Sequence, residues 1–530
     1  MPFARPGLFG CVAPLAVFLA LAGCGVVPSR VGSVGYGQGY AVAVDEQSAA
    51  QVAQDILSAG GTAADAAVAT AFALSVSDPA SAGLGGGGVC LVYDRVSRTA
   101  EALEFIAAAG TVGPETTRPS STPALVRGMS ALHAKRGRVP WESLLAPAET
   151  LAREGVVVSA SLGKDLAAMA EPLRDDPETR RIFSGSSGRM PVEGEVLIQS
   201  DLAALLGGLR LNPDEMYAGP GAQRMAEAAR GAGGSLAPED LGAVRPRWGS
   251  AIQVRYGGNV AYFPPPPSAG GVAAQMWAML TGDGGYRTAP PNSRSHLIAE
   301  VELRALADRG RWMQPDGGSR IAPAELVAPR RISALANNLN DMRHVAIKGG
   351  VPGLTENPSA SGFVVADRAG NVVACDLSLN NLFGTGRIAP GTGVFLGAAP
   401  HKAGRGPFGL ASMIVTERDS GFVTFAATGV GGGPAAAAMV SVAAKTLIDN
   451  SYLADALAAP RLHSSPLADV TLVERSDHPA LEDSLRARGH AVVPVGTLGR
   501  VNALTCPFGL NLTRPCAAGS DPRAAGFDPL

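Results

Sequence analysis

The sequence predicts a layered α/β sandwich, with strands at the centre and helices outside. Helical periodicity fills residues 45–76 and returns through the middle third of the chain, whereas strand-like runs dominate from Phe363 onward. Hydrophobic residues make up 46% of the 530 residues, which is enough to bury one large core or two domains. The 67 glycines and 40 prolines are spread along the chain, so the composition excludes a disordered low-complexity protein.

The first elements follow from periodicity and from residues that end helices. Residues 47–57 predict one helix, which Gly60 and Gly61 end. Residues 63–74 are nearly all small or apolar, so they predict a second, buried helix. The glycine-rich loop 83–88 then leads into a strand at 89–93. This loop lacks the Lys-Ser/Thr ending of a phosphate-binding loop, so no nucleotide site is predicted there.

The later elements alternate in the same way. A strand pair is predicted around residues 252–263, and two further strands at 362–366 and 372–379. The remaining helices are predicted at 126–136, 141–154, 200–209, 222–232, 295–311, 435–449 and 480–488.

The charge balance limits the class of partner. The formal net charge is −2 and charged residues make up 17% of the chain, so no basic surface predicts nucleic-acid binding. Beyond the N-terminus, no apolar run approaches the roughly 20 residues that a membrane helix needs.

Residues 1–24 are typical of an export signal. Arg5 gives a weakly positive start, and residues 12–21 form an apolar run. The sequence Leu-Ala-Gly-Cys that ends at Cys24 resembles a bacterial lipoprotein signal, in which the cysteine is lipidated; an ordinary secretory signal is the alternative. Both predict export, and Gly25 after the cysteine favours a lipid anchor on the periplasmic side of the outer membrane. Residues 25–37 are expected to be a linker.

Four cysteines remain after the signal. Cys506 and Cys516 lie ten residues apart across a loop, so an oxidising compartment would permit a disulfide between them. Cys90 and Cys375 lie within apolar strand-like runs, and we expect them to be inert thiols in the core.

One stretch concentrates small polar residues around two strands. It begins with Ser359, Ala360 and Ser361, and its second strand delivers Ser378 and Asn380 to a glycine-rich loop at 383–386. With the rest of the chain, this layout resembles the gamma-glutamyltransferases, a branch of the N-terminal nucleophile (Ntn) hydrolases. The motifs that carry the resemblance lie, in the family's order, at 59–88, 139–155, 212–219, 264–271, 296–312, 381–386 (NLFGTG), 429–434 (GVGGGP), 459–463 (APRLH) and 519–523 (GSDPR).

The resemblance implies an αββα sandwich built from two intertwined segments. Residues 38–359 would be similar to the large subunit and residues 360–530 to the small one, with self-cleavage near residue 360. The implied activity is hydrolysis or transfer of gamma-glutamyl or related amide groups, as in glutathione hydrolases, and no cofactor is implied. Its partner would be a small-molecule amide.

The implied catalytic residues include one altered position. The family's catalytic Thr falls on Ala360 in a gap-free match, and an Ala cannot attack a carbonyl. A shift of one residue would bring Ser361 into place as the nucleophile, and Ser359 is the alternative. Gly432 and Gly433 occupy the family's Gly-Gly pair, whose backbone N–H groups stabilise the tetrahedral oxygen.

The implied substrate pocket is altered as well. Ser378, Asn380 and Ser412 remain as substrate-binding residues. Ile106 stands where the family has an Arg that clamps the substrate's alpha-carboxylate, and Lys402 stands where it has an Asp for the alpha-amine. Without the clamp, a free gamma-glutamyl donor loses charge-assisted hydrogen bonds. The open alternatives are an acylase with a non-glutamyl substrate and an uncleaved protein that binds ligands in the envelope.

Two other kinds of site are not predicted. The seven histidines show no metal-ligand spacing, so no metal site is expected. A Gly-x-Ser-x-Gly elbow is absent from the sequence, which argues against a Ser-His-Asp hydrolase.

Overall fold

The structure, a computed structural model, describes residues 39–184, 188–282, 285–314, 317–347, 349, 359–400, 406–475, 479–510 and 516–525. The predicted signal and linker, with Cys24, lie outside the described residues, and so does Lys402. Among the helices within these ranges, none combines the length and apolar character that crossing a membrane requires.

Nineteen strands and seventeen α-helices form the described chain. The strands are β1 (Ala41–Val44), β2 (Gly87–Asp94), β3 (Thr99–Phe105), β4 (Val156–Val157), β5 (Val196–Leu197), β6 (Arg247–Ser250), β7 (Ile252–Tyr256), β8 (Asn259–Phe263), β9 (Ser361–Ala366), β10 (Val372–Ser378), β11 (Ile388–Ala389), β12 (Val394–Phe395), β13 (Ala411–Glu417), β14 (Val423–Val430), β15 (Leu462–Ser465), β16 (Val470–Glu474), β17 (Ala491–Val495), β18 (Arg500–Thr505) and β19 (Ala517–Gly519). The helices are α1 (Gln47–Ser58), α2 (Ala63–Ser77), α3 (Leu125–Arg136), α4 (Trp141–Glu154), α5 (Ala160–Ala168), α6 (Ala170–Asp175), α7 (Pro177–Thr179), α8 (Ser200–Leu211), α9 (Gly219–Gly231), α10 (Pro238–Ala243), α11 (Gly270–Thr281), α12 (Gly285–Thr288), α13 (Arg294–Trp312), α14 (Pro329–Leu335), α15 (Ala435–Leu447), α16 (Leu453–Ala458) and α17 (Ala480–Ala487).

Two six-stranded sheets form the centre of the fold. The first has the strand order β1-β9-β10-β2-β3-β6, and the second has the order β19-β18-β14-β13-β8-β7. Their facing surfaces enclose a core of mostly small and β-branched residues, which includes Val364, Ala374, Ile414, Ala426 and Leu504. Side chains alternate between the two faces of each strand, so every second residue of β9 and β10 faces the other sheet.

Helices cover the outer face of each sheet. The core of α1 and α2 contains Phe363 and Val365 from the outer face of β9, and the core of α11 and α15 contains Met413 and Val415 from the outer face of β13. The predicted αββα sandwich is therefore confirmed.

Helix α2 shows how the local sequence builds this layer. Thr62 and Asp65 form a reciprocal capping box, in which each side chain accepts from the other residue's backbone N–H. All fifteen residues of the helix are buried, as its small and apolar composition predicts.

The structure corrects the expectation for Cys90 and Cys375, which form a disulfide rather than remaining as free thiols. The two residues lie directly opposite each other on the antiparallel strands β2 and β10. They are 285 residues apart in the chain, so only the strand register brings them together. Cys506 and Cys516 also form a disulfide, as predicted.

Candidate active site

Strands β9 and β10 carry the predicted catalytic stretch at the centre of the first sheet. They pair in antiparallel register, with Ser361 opposite Leu377 and Gly362 opposite Asp376. Opposite residues of an antiparallel pair point to the same face of a sheet. The register therefore decides which residues face the second sheet.

Ala360 and Ser361 lie on opposite faces. Ala360 is buried against Val89, Leu410 and Val430, on the side that faces the second sheet. Ser361 shares its face with Leu377 and points toward the helices α1 and α2. Its side chain is fully buried, and its Oγ makes no hydrogen bond within the described part of the chain.

Ser378 and Asn380 form a hydrogen-bonded polar group next to Ala360. The Ser378 Oγ donates to the backbone oxygen of Ser359 at 2.8 Å and accepts from the backbone N–H of Asn380 at 2.8 Å. Asn380 adopts a positive φ of 64° and donates through Nδ2 to the oxygen of Ala398. Ser378 thus contacts the carbonyl that precedes Ala360.

Ser359 is engaged by a second hydroxyl. Its Oγ lies 2.7 Å from the Oγ of Ser81, and both side chains are buried. This hydrogen bond ties the start of the stretch to the loop after α2.

The glycine loop that follows β14 begins close to Ala360. It starts directly after Val430, which belongs to the same small apolar cluster as Ala360, and it ends at the start of α15. Gly432 has a φ of 76°, a conformation that favours glycine. The backbone N–H groups of Gly432 and Gly433 are the donors that the family resemblance implies for the oxyanion.

A histidine–glutamate pair lies against this loop. His463 Nδ1 is 2.6 Å from Glu302 Oε1, and the other carboxylate oxygen accepts from the backbone N–H of Ser464. His463 Nε2 would lie 3.2 Å from a Cβ placed on Gly433. Burial raises the pKa of Glu302, although the His463 partner and the backbone donor oppose that rise.

Arg500 contacts the backbone of the altered position itself. This buried residue is the first of β18, and its guanidinium donates to the oxygen of Ala360 at 2.9 Å. The same guanidinium lies 3.4 Å from a carboxylate oxygen of Asp45. Burial alone would lower the pKa of Arg500, but nearby carboxylates, those of Asp45, Asp78 and Asp165, raise it. The Arg500 guanidinium therefore stays positively charged beside the Ala360 carbonyl oxygen.

Ser412 contacts a carboxylate between the sheets. Its Oγ donates to Asp376 Oδ2, and both residues are fully buried. Burial raises the pKa of Asp376 well above its ordinary value, and the Ser412 donor only partly opposes this. The Ser412 hydroxyl is therefore hydrogen-bonded to Asp376, and its buried side chain does not line an open pocket in this structure.

Ile106 occupies the end of the first sheet. Strand β3 ends at Phe105 opposite Gly88, and the neighbouring Gly87 lies opposite Ser378. Ile106 follows directly and is half-buried. The apolar side chain of Ile106 therefore lies at the same end of the first sheet as Ser378.

The sequence found only part of this site. The structure brings Ala360, Ser378, Asn380 and the Gly432–Gly433 loop to one side of the sheet, while Ser361 faces the other side. Sequence reasoning missed Arg500, Asp376 and the His463–Glu302 pair as parts of the site. Two signals were visible: a single carboxylate in the apolar strand 372–379, and the histidine of the motif at 459–463.

Comparison with known proteins confirms the resemblance over nearly the whole chain. The profile of the family described as Gamma-glutamyltranspeptidase matches residues 49–528. The chain is 28% identical over 514 residues to the glutathione hydrolase proenzyme of Escherichia coli, with 88% of both chains covered. It is 29% identical over 500 residues to the Acylase ACY 1 proenzyme of a Pseudomonas species, covering 85% of this chain and 87% of that protein.

A solved structure agrees with these sequence relatives. The cephalosporin acylase of Bacillus halodurans superimposes with a TM-score of 0.79 at 25% identity, over 93% of this chain and 95% of that one. Members of this family are enzymes of the Ntn-hydrolase type. The chain belongs to the gamma-glutamyltranspeptidase family and is a gamma-glutamyltransferase-like Ntn hydrolase.

Proposed function

We propose that this protein hydrolyses or transfers acyl groups from amides whose acyl part carries no alpha-carboxylate for a cation to clamp. The observation that carries the proposal is the apolar Ile106 at the sheet end of Ser378, where the family pattern has an Arg. A charge-assisted hydrogen bond is worth about 1.5–3 kcal/mol, so a gamma-glutamyl donor such as glutathione loses that contribution here. The acylases among the relatives support the same substrate class.

We propose Ser361 as the nucleophile, released by cleavage of the Ala360–Ser361 peptide bond. The Ser361 Oγ attacks the carbonyl carbon of Ala360 while Arg500 stabilises the negative charge on the carbonyl oxygen. The C–N bond breaks, the hydroxyl proton passes to the leaving nitrogen, and an ester joins Ala360 to the Ser361 Oγ. Water then hydrolyses that ester and leaves a free amine and hydroxyl on Ser361. The E. coli relative and the acylase relative are both named proenzymes, which supports such maturation.

Turnover of a substrate would use the amine and the hydroxyl that cleavage leaves on Ser361. The free amine of Ser361 takes the proton of its own hydroxyl, the hydroxyl oxygen attacks the amide carbon, and the Gly432–Gly433 loop donates to the oxyanion. The amine product leaves, and water or another amine resolves the acyl-enzyme. Before turnover the residue must rotate, because its side chain faces α1 and α2 in the uncut chain. Cleavage removes the peptide link that holds it there.

The orientation of the Ala360 side chain favours a second candidate function, which is ligand binding by an uncut chain. The methyl group of Ala360, and not the hydroxyl of Ser361, faces the side of the Gly432–Gly433 loop. A chain that is never cut would keep this arrangement and bind an acyl or gamma-glutamyl ligand without turning it over.

A pair of chromogenic anilides tests the substrate class. The rate of 4-nitroaniline release is compared for a gamma-glutamyl anilide and a pentanoyl anilide, which lacks both charged groups. The proposal expects the pentanoyl substrate to have the higher kcat/KM and expects S361A to release nothing from either. A higher kcat/KM for the gamma-glutamyl anilide would contradict the substrate class, and release by S361A equal to wild type would contradict the nucleophile.

We also propose that the protein is exported and anchored by a lipid on Cys24. The two disulfides support an oxidising compartment. Metabolic labelling with a fatty acid should mark the wild type but not C24S, and C24S should leave the membrane fraction. Equal labelling of both proteins would contradict the lipid anchor.

A further inference from the structure

Three histidines that lie far apart in the sequence meet around Glu300 on α13. His296 and Glu300 lie one turn apart on α13, so both side chains project from the same face of the helix. His490 lies directly before β17, and His344 follows α14. Sequence spacing predicted no metal site, because 194 residues separate His296 from His490.

The distances within the cluster suit a small cation. His296 Nδ1 lies 2.7 Å from His490 Nε2, and Glu300 Oε1 lies 2.7 Å from His344 Nδ1 and 3.8 Å from His490 Nε2. Zinc bonds of about 2.0–2.1 Å in a tetrahedron place the ligand atoms about 3.3 Å from one another. The ligand atoms of His296, Glu300 and His490 all lie within 4.8 Å of one another, so three ligands can approach one ion from this arrangement.

Each imidazole is oriented by a partner on its far side. His296 Nε2 lies 3.0 Å from the backbone oxygen of Asn340, which can only accept, so this nitrogen carries the proton and Nδ1 presents its lone pair to the cluster. His344 Nε2 lies 3.1 Å from Asp469 Oδ1, and His490 Nδ1 lies 3.0 Å from Thr471 Oγ1. Such outer acceptors fix the tautomer of histidines that bind metals.

The residue types of the cluster also fit zinc. His296, Glu300 and His490 are buried, and Glu300 Oε2 accepts from the buried Arg304 at 2.7 Å. Imidazoles and a carboxylate are ligands that zinc accepts, whereas magnesium prefers oxygen ligands.

We propose that His296, Glu300 and His490 bind a zinc ion. His344 contacts Glu300 from outside this group of three and orients its carboxylate. Asp469, the outer partner of His344, has a side chain that is 38% exposed. His296 and Glu300 precede the predicted cleavage point and His490 follows it, so the ion would hold the two segments of a cut chain together.

A network of hydrogen bonds alone is the alternative arrangement. His490 Nε2–H can donate to His296 Nδ1 while Thr471 donates to His490 Nδ1, which satisfies both rings without a metal. The two arrangements differ in one measurable property, which is the affinity for zinc.

The experiment uses the full chain without a polyhistidine tag, stripped with a chelator and then titrated with Zn²⁺. Bound metal is counted by elemental analysis, and Co²⁺ is titrated in parallel because four-coordinate Co²⁺ gives intense visible bands. Wild type should bind one equivalent, and H490Q should bind at least 100-fold more weakly. H133Q is the matched control, since His133 lies outside the cluster on α3, and its affinity should equal that of wild type.

A second variant keeps the test independent of folding defects in H490Q. T471V leaves all three ligands in place and removes only the outer hydroxyl partner of His490, which should weaken zinc binding about 10–100-fold. Circular dichroism of each apo variant checks the fold. Less than a tenth of an equivalent of zinc on wild type at micromolar zinc, or equal binding by H490Q and H133Q, would overturn the proposal.

Discussion

The disulfide between Cys90 and Cys375 should stabilise the fold more than the one between Cys506 and Cys516. In the chain-entropy model, a cross-link stabilises the folded state because it lowers the conformational entropy of the unfolded chain. The effect grows with the logarithm of the length of the loop that the cross-link closes. The loops here span 285 and 10 residues. The model gives about 5.7 kcal/mol for the first and about 2.7 kcal/mol for the second, a difference of about 3 kcal/mol.

The assay compares two double variants, C90A/C375A and C506A/C516A, both made in the uncut S361A chain, because cleavage before Ser361 would open the 285-residue loop. All four cysteines are buried, and each double substitution removes the same atoms, so the lost packing is similar in both. Urea unfolding followed by tryptophan fluorescence gives the free energy of unfolding of each protein. A loss for C506A/C516A equal to or larger than the loss for C90A/C375A would refute the reasoning.

Three further changes test single features of the site. Burial raises the pKa of Asp376, so ionising it costs folding energy and the stability should fall as the pH rises above about 4, by at most about 1.4 kcal/mol per pH unit. D376N should make that slope shallower in thermal melts, while Asp78 and Asp165, whose pKa values are also raised, keep part of it; equal slopes in both proteins would contradict the assignment. R500K keeps a positive charge but loses the forked guanidinium that donates to the Ala360 oxygen. Self-cleavage should therefore slow at least 10-fold in a time course on reducing gels, and an unchanged rate would exclude a role of Arg500 in cleavage. I106R should raise kcat/KM for a gamma-glutamyl anilide about 10-fold or more by supplying a cation for the carboxylate, and no gain would show that Ile106 does not line the pocket.

The helices and strands could be predicted well because their signals are local. Helix α1 was expected at 47–57 and spans Gln47–Ser58, and α13 was expected at 295–311 and spans Arg294–Trp312. The strand expected at 362–366 begins one residue earlier, at Ser361. Periodicity and helix-ending residues act within a few positions, so one sequence is enough to read them.

The contacts across the fold could not be predicted in the same way. Cys90 meets Cys375, and Arg500 meets Ala360, only because strand register and sheet packing bring them together. Strand register and sheet packing also decide which face of the sheet the Ser361 side chain points to. A shift of one residue would turn its hydroxyl toward the second sheet, but it would also turn Phe363 and Val365 out of the helix-side core. Packing of the whole strand, and not the local motif, therefore decides which residue faces the glycine loop.

The disulfide also governs how self-cleavage must be observed. Cys90 precedes the predicted cleavage point and Cys375 follows it, so a cut chain stays covalently joined until it is reduced. A gel without reductant would show one band for cut and uncut protein alike.

The central claim is that Ser361 is released by cleavage of the chain in front of it. The most direct measurement is the intact mass of the purified wild type after reduction, with N-terminal sequencing of any fragment and S361A as the control. The account predicts two wild-type fragments, the smaller beginning at Ser361, and a single uncut chain for S361A. A wild-type chain that stays whole after prolonged incubation would contradict it and would leave a ligand-binding protein on the same fold.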